Sequence, residues 1–524
     1  QYIGSQAILP FLILSKGLMR QEPSVRDLDP NLPVQQITDI QSLMTNSVEP
    51  IPAFSKFSQV LQKSLSPDEA GRFRNGSTRI SPMSWRVLAK LGQTKLAANA
   101  VQLATLTPLY DALDGGYFRE ARSTNSSVQI DTGKSSLQNA LIAEVVAQLA
   151  CASRQPNLRT LALDIGNDVM SDFLDGDGLS TSRLNDQGVD NRSMRSSLTN
   201  GRLGSILSSQ DSLQLKAFAS KSQSPDQDLL SLTSLSVLSN PDFLRIRQSI
   251  REKLTYAPGL SEPDHIAVDG YLAARLFGLY RYTNDQRFLS KAQQISQLVY
   301  SSVNGTSIGK IYGNRQLGPG WLGSYLAVAD CGLSEYAATG NIYPLRTGEI
   351  ALQQAILRFK DNQTGLLDNV PASTENGFSL TPATPNLVDA EHESLNAQAI
   401  RLAYHYSVSA ENPTSRAEFQ NFAQSMLAKL NSLMSKSSPL AAGYFDAAFD
   451  VTQNSAVMVV GPHRVEICLK LAKILPLSVI YPMSVANSPN EDHLYIRRGE
   501  VLEGPFTEAE IQKKMIAASR SYPE

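Results

Sequence analysis

A chain of 524 residues, 42% of them hydrophobic, is long enough for one large helical barrel and carries ample apolar material for a core. A formal net charge of −2 and a pI near 6.3 give no electrostatic basis for binding nucleic acid or an anionic membrane. The three cysteines, Cys151, Cys331 and Cys468, stand far apart without a CxxC pair. That argues against a disulfide framework and for small apolar core residues in a reducing, cytoplasmic setting.

Residues 1–50 read as an N-terminal segment and linker. The chain opens on Gln1, as a fragment or processed product would, and Ala7–Leu14 is apolar for only eight residues. A bilayer span needs about 20 residues, so this stretch is either the remainder of an upstream, membrane-associated segment or a short packed element. Pro23, Pro30 and Pro33 mark the linker as irregular. Phe54, Phe57, Val60, Leu61 and Leu65 then fall at helical spacing, and Ser66-Pro67 starts a further segment with a cap and an N1 proline.

From Ser84 the helical pattern strengthens through Trp85, Leu88, Ala89, Leu96, Ala100, Leu103 and Leu106. It breaks at Pro108-Leu-Tyr-Asp-Ala-Leu-Asp-Gly-Gly-Tyr-Phe-Arg119, where Gly115 and Gly116 permit a sharp turn crowded with Asp111, Asp114, Arg119 and Glu120. Thr364–Asn369 and Gly443–Phe449 echo it, which suggests repeated helix–loop units. Helical patterns at 135–152 and 158–174 form the next hairpin. Residues 185–240 turn polar and read as an insertion holding one or two short helices.

Further hairpins follow: 269–282 with 288–303, 321–338 with 349–359, and 394–407 with 415–434. Their connections are short and contain breakers, as antiparallel neighbours require. Five hairpins are visible from residue 84, and the pattern at 54–75 supplies a sixth partner. Ala456–Val460, a helix over 463–474 and Leu477–Tyr481 make a small βαβ extension at 456–483, and 493–524 reads as a separate, partial module.

Tyr110-Asp111, Gly115-Gly116-Tyr117-Phe118-Arg119, Pro319-Gly-Trp-Leu-Gly-Ser-Tyr325, Glu393-Ser-Leu-Asn-Ala397 and the closing 456–481 unit occur in an order that resembles one family. The chain looks like the barrel portion of the thioredoxin-domain-containing proteins related to spermatogenesis-associated protein twenty. The resemblance implies a mainly α fold, an (α/α)6 toroid of the six-hairpin glycosidase type over 51–455, without the thioredoxin-like domain and so without redox activity. Departures cluster at Ile130-Asp-Thr-Gly-Lys-Ser-Ser-Leu-Gln-Asn-Ala140. Where the family has Pro-His-Phe-Glu-Lys-Met-Leu-Tyr-Asp-Asn-Ala, its His is Asp131, its Glu is Gly133 and its Asp is Gln138, while Lys134, Asn139 and Ala140 remain. At the C-terminus, Tyr495, Gly499, Gly504-Pro505-Phe506 and Ile511 resemble the opening of a GYF-like domain, a β-hairpin running into a helix capped by Thr507 and Glu510. Such domains bind proline-rich peptides.

A six-hairpin toroid gathers its loops at the mouth of a funnel, and sugar-processing members use paired carboxylates or histidines there. The titratable candidates are Asp111, Asp114, Asp269, Asp368, Glu391, Glu393, His265 and His392. His392, Glu393 and Asp111 are the catalytic candidates, and Tyr117, Arg119, Lys134, Trp321 and Tyr325 the ligand-binding ones. The competing roles are ordinary: carboxylates before a helix suit its N-terminal dipole, Trp321 and Tyr325 at spacing four suit a core, and His405 suits a packed helix face. No two histidines stand at metal-ligand spacing, and no cofactor motif is present. Two readings stay open: a ligand-binding, catalytically degenerate barrel for a carbohydrate-like small molecule, or a scaffold acting through its GYF-like tail.

Overall fold

The spacing of apolar residues in threes and fours folds most of this chain into helices. The structure, a computed structural model, describes residues 54–65, 67, 79–123, 128–131, 133–174, 183–184, 207–221, 230–253, 265–312, 315–371, 385–434, 441–483 and 490–520. In chain order the helices are α1 (Phe54–Ser64), α2 (Pro82–Lys90), α3 (Thr94–Thr105), α4 (Ser136–Ser153), α5 (Pro156–Asp172), α6 (Ser209–Phe218), α7 (Pro241–Lys253) and α8 (His265–Thr283). They continue as α9 (Gln286–Ser301), α10 (Leu322–Thr339), α11 (Ile342–Phe359), α12 (Leu395–Ser409), α13 (Pro413–Met434), α14 (Ala442–Gln453), α15 (Arg464–Ile474) and α16 (Glu508–Arg520). Side-chain oxygens of Ser81, Ser135, Asp285, Asn341 and Ser394 cap α2, α4, α9, α11 and α12. Left-handed backbone at Arg154 and Gly340 (φ 56° and 71°) ends α4 and α10.

Two kinds of helix divide the labour. In α4, α10 and α12 nearly every position is buried, which marks helices surrounded by protein. In α5 and α9 burial follows one stripe, such as Leu158, Leu161, Ala162, Ile165 and Val169. The enclosed helices close a ring in which α2 packs on α4, α4 on α8, α8 on α10, α10 on α12, α12 on α14, and α14 back on α2. Outside them, α3, α5, α9, α11 and α13 each pack antiparallel on the inner helix they follow. The sixth outer place belongs to α1, whose Phe57 stacks on Phe445 of α14 at 3.6 Å, with Phe54 edge-on to Phe445 and Phe449 at 6.0 and 6.2 Å. The fold is an (α/α)6 toroid. Helix α6, in the polar 185–240 stretch, packs on α7.

The two ends of the ring differ. Two- or three-residue turns such as Leu91–Gln93 and Asn284–Asp285 lie at the C-terminal ends of the inner helices. The long connections reach their N-terminal ends and form a mouth. The opposite, back end carries a sheet in the order 480–482, 456–460, 493–498, 501–506. Ala456–Val460 and Ile480–Pro482 are parallel around α15, so the expected βαβ unit is parallel. His493–Arg498 pairs antiparallel with Ala456–Val460, so the C-terminal hairpin extends this sheet instead of standing apart from it. One core explains the union: Val457, Val459, Cys468, Leu471, Leu494, Ile496 and Ile511 pack together. Thr507 and Glu510 exchange hydrogen bonds at the start of α16, as a capping box does.

Candidate functional site

The mouth is built on two copies of one turn. Asp111 N–H donates to Gly116 O and Gly115 N–H to Asp111 O, both at 2.9 Å, while Asp111 Oδ1 accepts from the N–H groups of Leu113 and Asp114 at 3.0 and 3.1 Å. Asp361 repeats the pattern: its N–H donates to Leu366 O (2.8 Å), Gly365 N–H donates to Asp361 O (2.7 Å), and its carboxylate accepts from Gln363 and Thr364 N–H (3.2 and 2.8 Å). Gly115 and Gly365 take φ of 89° and 70°, where a side chain would be strained. An inner-helix asparagine reads the backbone beyond each turn. Asn139 accepts from Tyr117 N–H (2.6 Å) and donates to Tyr117 O (3.0 Å); Asn396 accepts from Leu367 N–H and donates to Leu367 O, both at 2.9 Å. The third echo differs. Gly443 lies inside α14, and a Cβ there would come within 2.6 Å of Glu393 Cβ, so this glycine serves close helix packing and not a turn.

Around the first turn the charges are already paired. Lys134 is buried, 2.9 Å from Asp111, 3.1 Å from Asp168 and 2.7 Å from Gly115 O. Burial opposes its charge, but the two carboxylates outweigh it and hold the ammonium above the ordinary lysine range. Burial likewise raises Asp111, yet Lys134 and the turn N–H groups leave it below the usual carboxylate range. Asp114 pairs with Arg251 at 3.3 Å, and Asp164 with Arg247 at 2.8 Å and with the Tyr110 hydroxyl. Tyr117 is buried, its hydroxyl 2.6 Å from Thr105 Oγ1. Half-buried Arg119 is occupied by Asp131, with Nε to Oδ2 at 3.1 Å.

A second cluster precedes α12. Glu393 accepts from Arg401 (2.7 Å) and the Tyr271 hydroxyl (2.8 Å). Burial would raise it, but Arg401 and Arg275 override that and hold it well below the ordinary glutamate range. Four residues away, Asp389 accepts from Ser394 N–H (3.0 Å) and Gly443 N–H (2.6 Å), and burial pushes it up to about 8 against those donors. Between them, half-buried His392 is held at one nitrogen: its Nδ1 lies 2.6 Å from Glu393 O, and its ring rests on Tyr271 with centroids 4.8 Å apart. A carbonyl partner makes Nδ1 the protonated nitrogen and leaves Nε2 as the basic one. Ser135 Oγ donates to Glu391 Oε2 at 2.7 Å, which links this cluster to the strand residue next to Lys134.

Half-buried Trp321 occupies the cap position of α10. Two residues on, Gly323 sits between α8 and α12 with room for a Cβ, which would meet Ala267 at 3.8 Å and Leu395 at 3.9 Å, ordinary contact distances. Tyr325 is buried against Phe359 at 5.4 Å, its hydroxyl accepting from Ile308 N–H at 3.3 Å. Asp269 and Asp368 are buried, and the His265 side chain lies outside the described residues. The structure therefore brings His392, Glu393 and Tyr271 together and sets Asp111, Lys134 and Tyr117 in a neighbouring cluster. Sequence reasoning gave no role to Tyr271 or Arg401, and it named Asn139 and Asn396 only as members of the resembling motifs.

Among the described residues, no group of three or more His, Cys, Asp or Glu is arranged to hold a metal ion, and no helix is long and apolar enough to cross a membrane. No protein-family model and no curated protein matches the chain. Solved structures do. An α-1,2-mannosidase from Trichoderma reesei aligns at a TM-score of 0.38 and 10% identity over 79% of this chain and 92% of its own. A sugar epimerase from a ruminal bacterium gives 0.29 and 12% over 75% and 98%, and the cellobiose 2-epimerase of Spirochaeta thermophila 0.26 and 13% over 76% and 100%.

Proposed function

We propose that this chain is a ligand-binding six-hairpin barrel without the acid–base pair of an active sugar enzyme, receiving a carbohydrate-like small molecule at the mouth beside His392. The observation that carries this reading is the contrast in occupancy. Glu393 is committed to Arg401 and Tyr271 and Asp111 to Lys134, whereas His392 is half-buried with one ring nitrogen fixed and no partner among the described residues at the other. A carboxylate held ionised by two arginines cannot serve as a general acid at neutral pH. Asp131, standing where the resembled family has histidine, is used up by Arg119. Half-buried Trp321 supplies the aromatic surface that sugar rings favour, while Tyr271 is buried beneath the His392 ring. The relation to the thioredoxin-domain-containing family, and a cytoplasmic location, belong to this same reading.

Calorimetric titration and thermal shift against neutral mono- and disaccharides test it. The expected result is saturable stabilisation by at least one sugar, lost in His392→Ala and Trp321→Ala, without product formation. A full panel with no stabilisation overturns the pocket, and turnover abolished by His392→Ala overturns the degeneracy.

One observation favours a second reading, a non-enzymatic scaffold. Val501–Phe506 is the outermost strand of the back sheet, and Val501 and Leu502 on it are 61% and 38% exposed. A GYF-like tail would use such a surface for a proline-rich peptide. Binding of a polyproline peptide that Val501→Lys removes would support it, while sugar binding alone would count against it.

A further inference from the structure

Among the described residues, the buried carboxylates of this barrel are engaged, with one exception. Lys134 holds Asp111 and Asp168 at 2.9 and 3.1 Å, Lys90 holds Asp446 and Asp450 at 2.9 and 2.8 Å, and Arg401 holds Asp330 and Glu393 at 2.8 and 2.7 Å. The others are likewise bonded or paired. Asp368 is the exception. It is 8% exposed, yet its carboxylate has no hydrogen bond and no ion pair, and no cationic side chain lies close enough to act on it. Both of its oxygens reach solvent, so they border open space. Burial, and then the charge of Asp361, push the acid above the ordinary aspartate range, as expected of a carboxylate without compensation.

Backbone ties place this group at the mouth. Asp368 N–H donates to Phe359 O, at the end of α11, at 2.9 Å. Leu367, just before it, is gripped by Asn396 in the first turn of α12. Asn369, just after it, accepts the Leu322 N–H of α10 at 3.1 Å. Asp368 thus stands between the start of α10, which Trp321 caps, and the start of α12, which His392 shortly precedes. The second mouth turn does not need an acid there. In the first turn the matching position, one beyond the clamped Tyr117, is Phe118, buried and apolar. A desolvated carboxylate costs stability where a phenylalanine adds it, so its use here points to a ligand.

The missing partner is a donor, and its class follows from charge. A hydroxyl would satisfy a lone pair and leave the negative charge uncompensated. A metal ion needs several oxygen ligands, and no such group is arranged among the described residues. An ammonium supplies both the donors and the opposite charge, and such charge-assisted bonds are the strong ones. We propose that Asp368 binds the ammonium of an amino sugar at the mouth, a hexosamine whose amine is not acylated. The proposal rests on the sugar-binding reading of the mouth and narrows it to this class.

Calorimetric titration of the full chain at neutral pH with glucosamine, N-acetylglucosamine and glucose tests it. Glucosamine is expected to bind at least about tenfold more tightly than the two neutral sugars, and Asp368→Asn to remove that preference without weakening the neutral ones. Thermal unfolding without sugar separates a binding role from a structural one. Asp368→Asn removes a buried charge and breaks no bond, so its Tm should equal or exceed that of wild type. A preference for glucosamine that survives in Asp368→Asn overturns the proposal, and so does a clearly lowered Tm or a variant that fails to fold. Equal binding of all three sugars overturns it while the sugar reading stands; binding of none overturns both.

Discussion

Asn139 holds Tyr117 by both main-chain groups from 22 residues away, and Asn396 does the same for Leu367 across 29 residues. Each amide is fully buried, so its loss strands a buried N–H and a buried carbonyl. Asn139→Leu is expected to cost about 2–4 kcal/mol, the penalty for two unsatisfied backbone groups, and Asn396→Leu a similar amount. Urea unfolding at pH 7 measures both; a loss below about 0.5 kcal/mol for either would show that the turns hold without their clamps. At this scale the sequence was half readable. The Asp and Gly of each turn stand out because local backbone geometry demands them, and Thr364–Asn369 was visible as an echo of the Gly115 loop. The clamps were not, because a side chain pairing with distant backbone leaves no local pattern. Gly443 misled for a related reason: a glycine needed for close packing against Glu393 looks the same in sequence as one needed for a turn.

Helices were legible where burial follows a period, and this covers nearly every hairpin of the toroid. Boundaries shifted where a cap lay upstream of the first apolar residue. Helix α11 begins at Ile342, and not near Glu349, because Asn341 caps it and Pro344 fits its first turn. The C-terminal module looked separate since its strand partner, Ala456–Val460, lies more than 30 residues upstream, beyond the reach of any local signal. The sixth outer helix was harder to place: α1 precedes the ring in sequence yet closes it in space. Its attachment to α14 runs through Phe54 and Phe57, and burial of Phe57 against Phe445 is worth roughly 3–5 kcal/mol by the cost of deleting a core phenylalanine. Because α1 packs on the outside of the ring, Phe57→Ala should release it locally. Hydrogen exchange is expected to show lost protection over 54–64 with α4 and α10 still protected; unchanged protection of α1 would assign its anchoring elsewhere.

Across the whole molecule, what fills the axis of the toroid is charge. Lys90 and Asp450, 360 positions apart, meet at 2.8 Å, and His405 joins them, with Nε2 3.2 Å from Asp450 and Nδ1 2.6 Å from the Tyr481 hydroxyl. Burial lowers the His405 imidazole more than Asp450 raises it, so it stays neutral between these partners. Such a ring specifies which six helices meet, since any wrong neighbour leaves a buried charge unpaired. It also sets how stability responds to pH, in two opposite directions. Glu393, lowered in the folded state, stabilises fully above the ordinary glutamate value of about 4.3, and this contribution fades as pH falls through and below that value. Asp389, raised to about 8 by burial, binds a proton when folded that it releases when unfolded, so its contribution is full below about 3.9 and is lost as pH rises toward 8. Two variants separate these terms. The stability gap between wild type and Glu393→Gln should be flat from pH 8 to 5.5 and shrink below about 4.3. The gap between wild type and Asp389→Asn should instead fall steadily from pH 5 to 7.5, with a limiting slope of about 1.4 kcal/mol per pH unit. The hydrogen bond that the substituted amide gives up shifts that curve without tilting it, so parallel unfolding profiles for wild type and Asp389→Asn would mean that the folded chain keeps Asp389 ionised, its two N–H donors outweighing its burial.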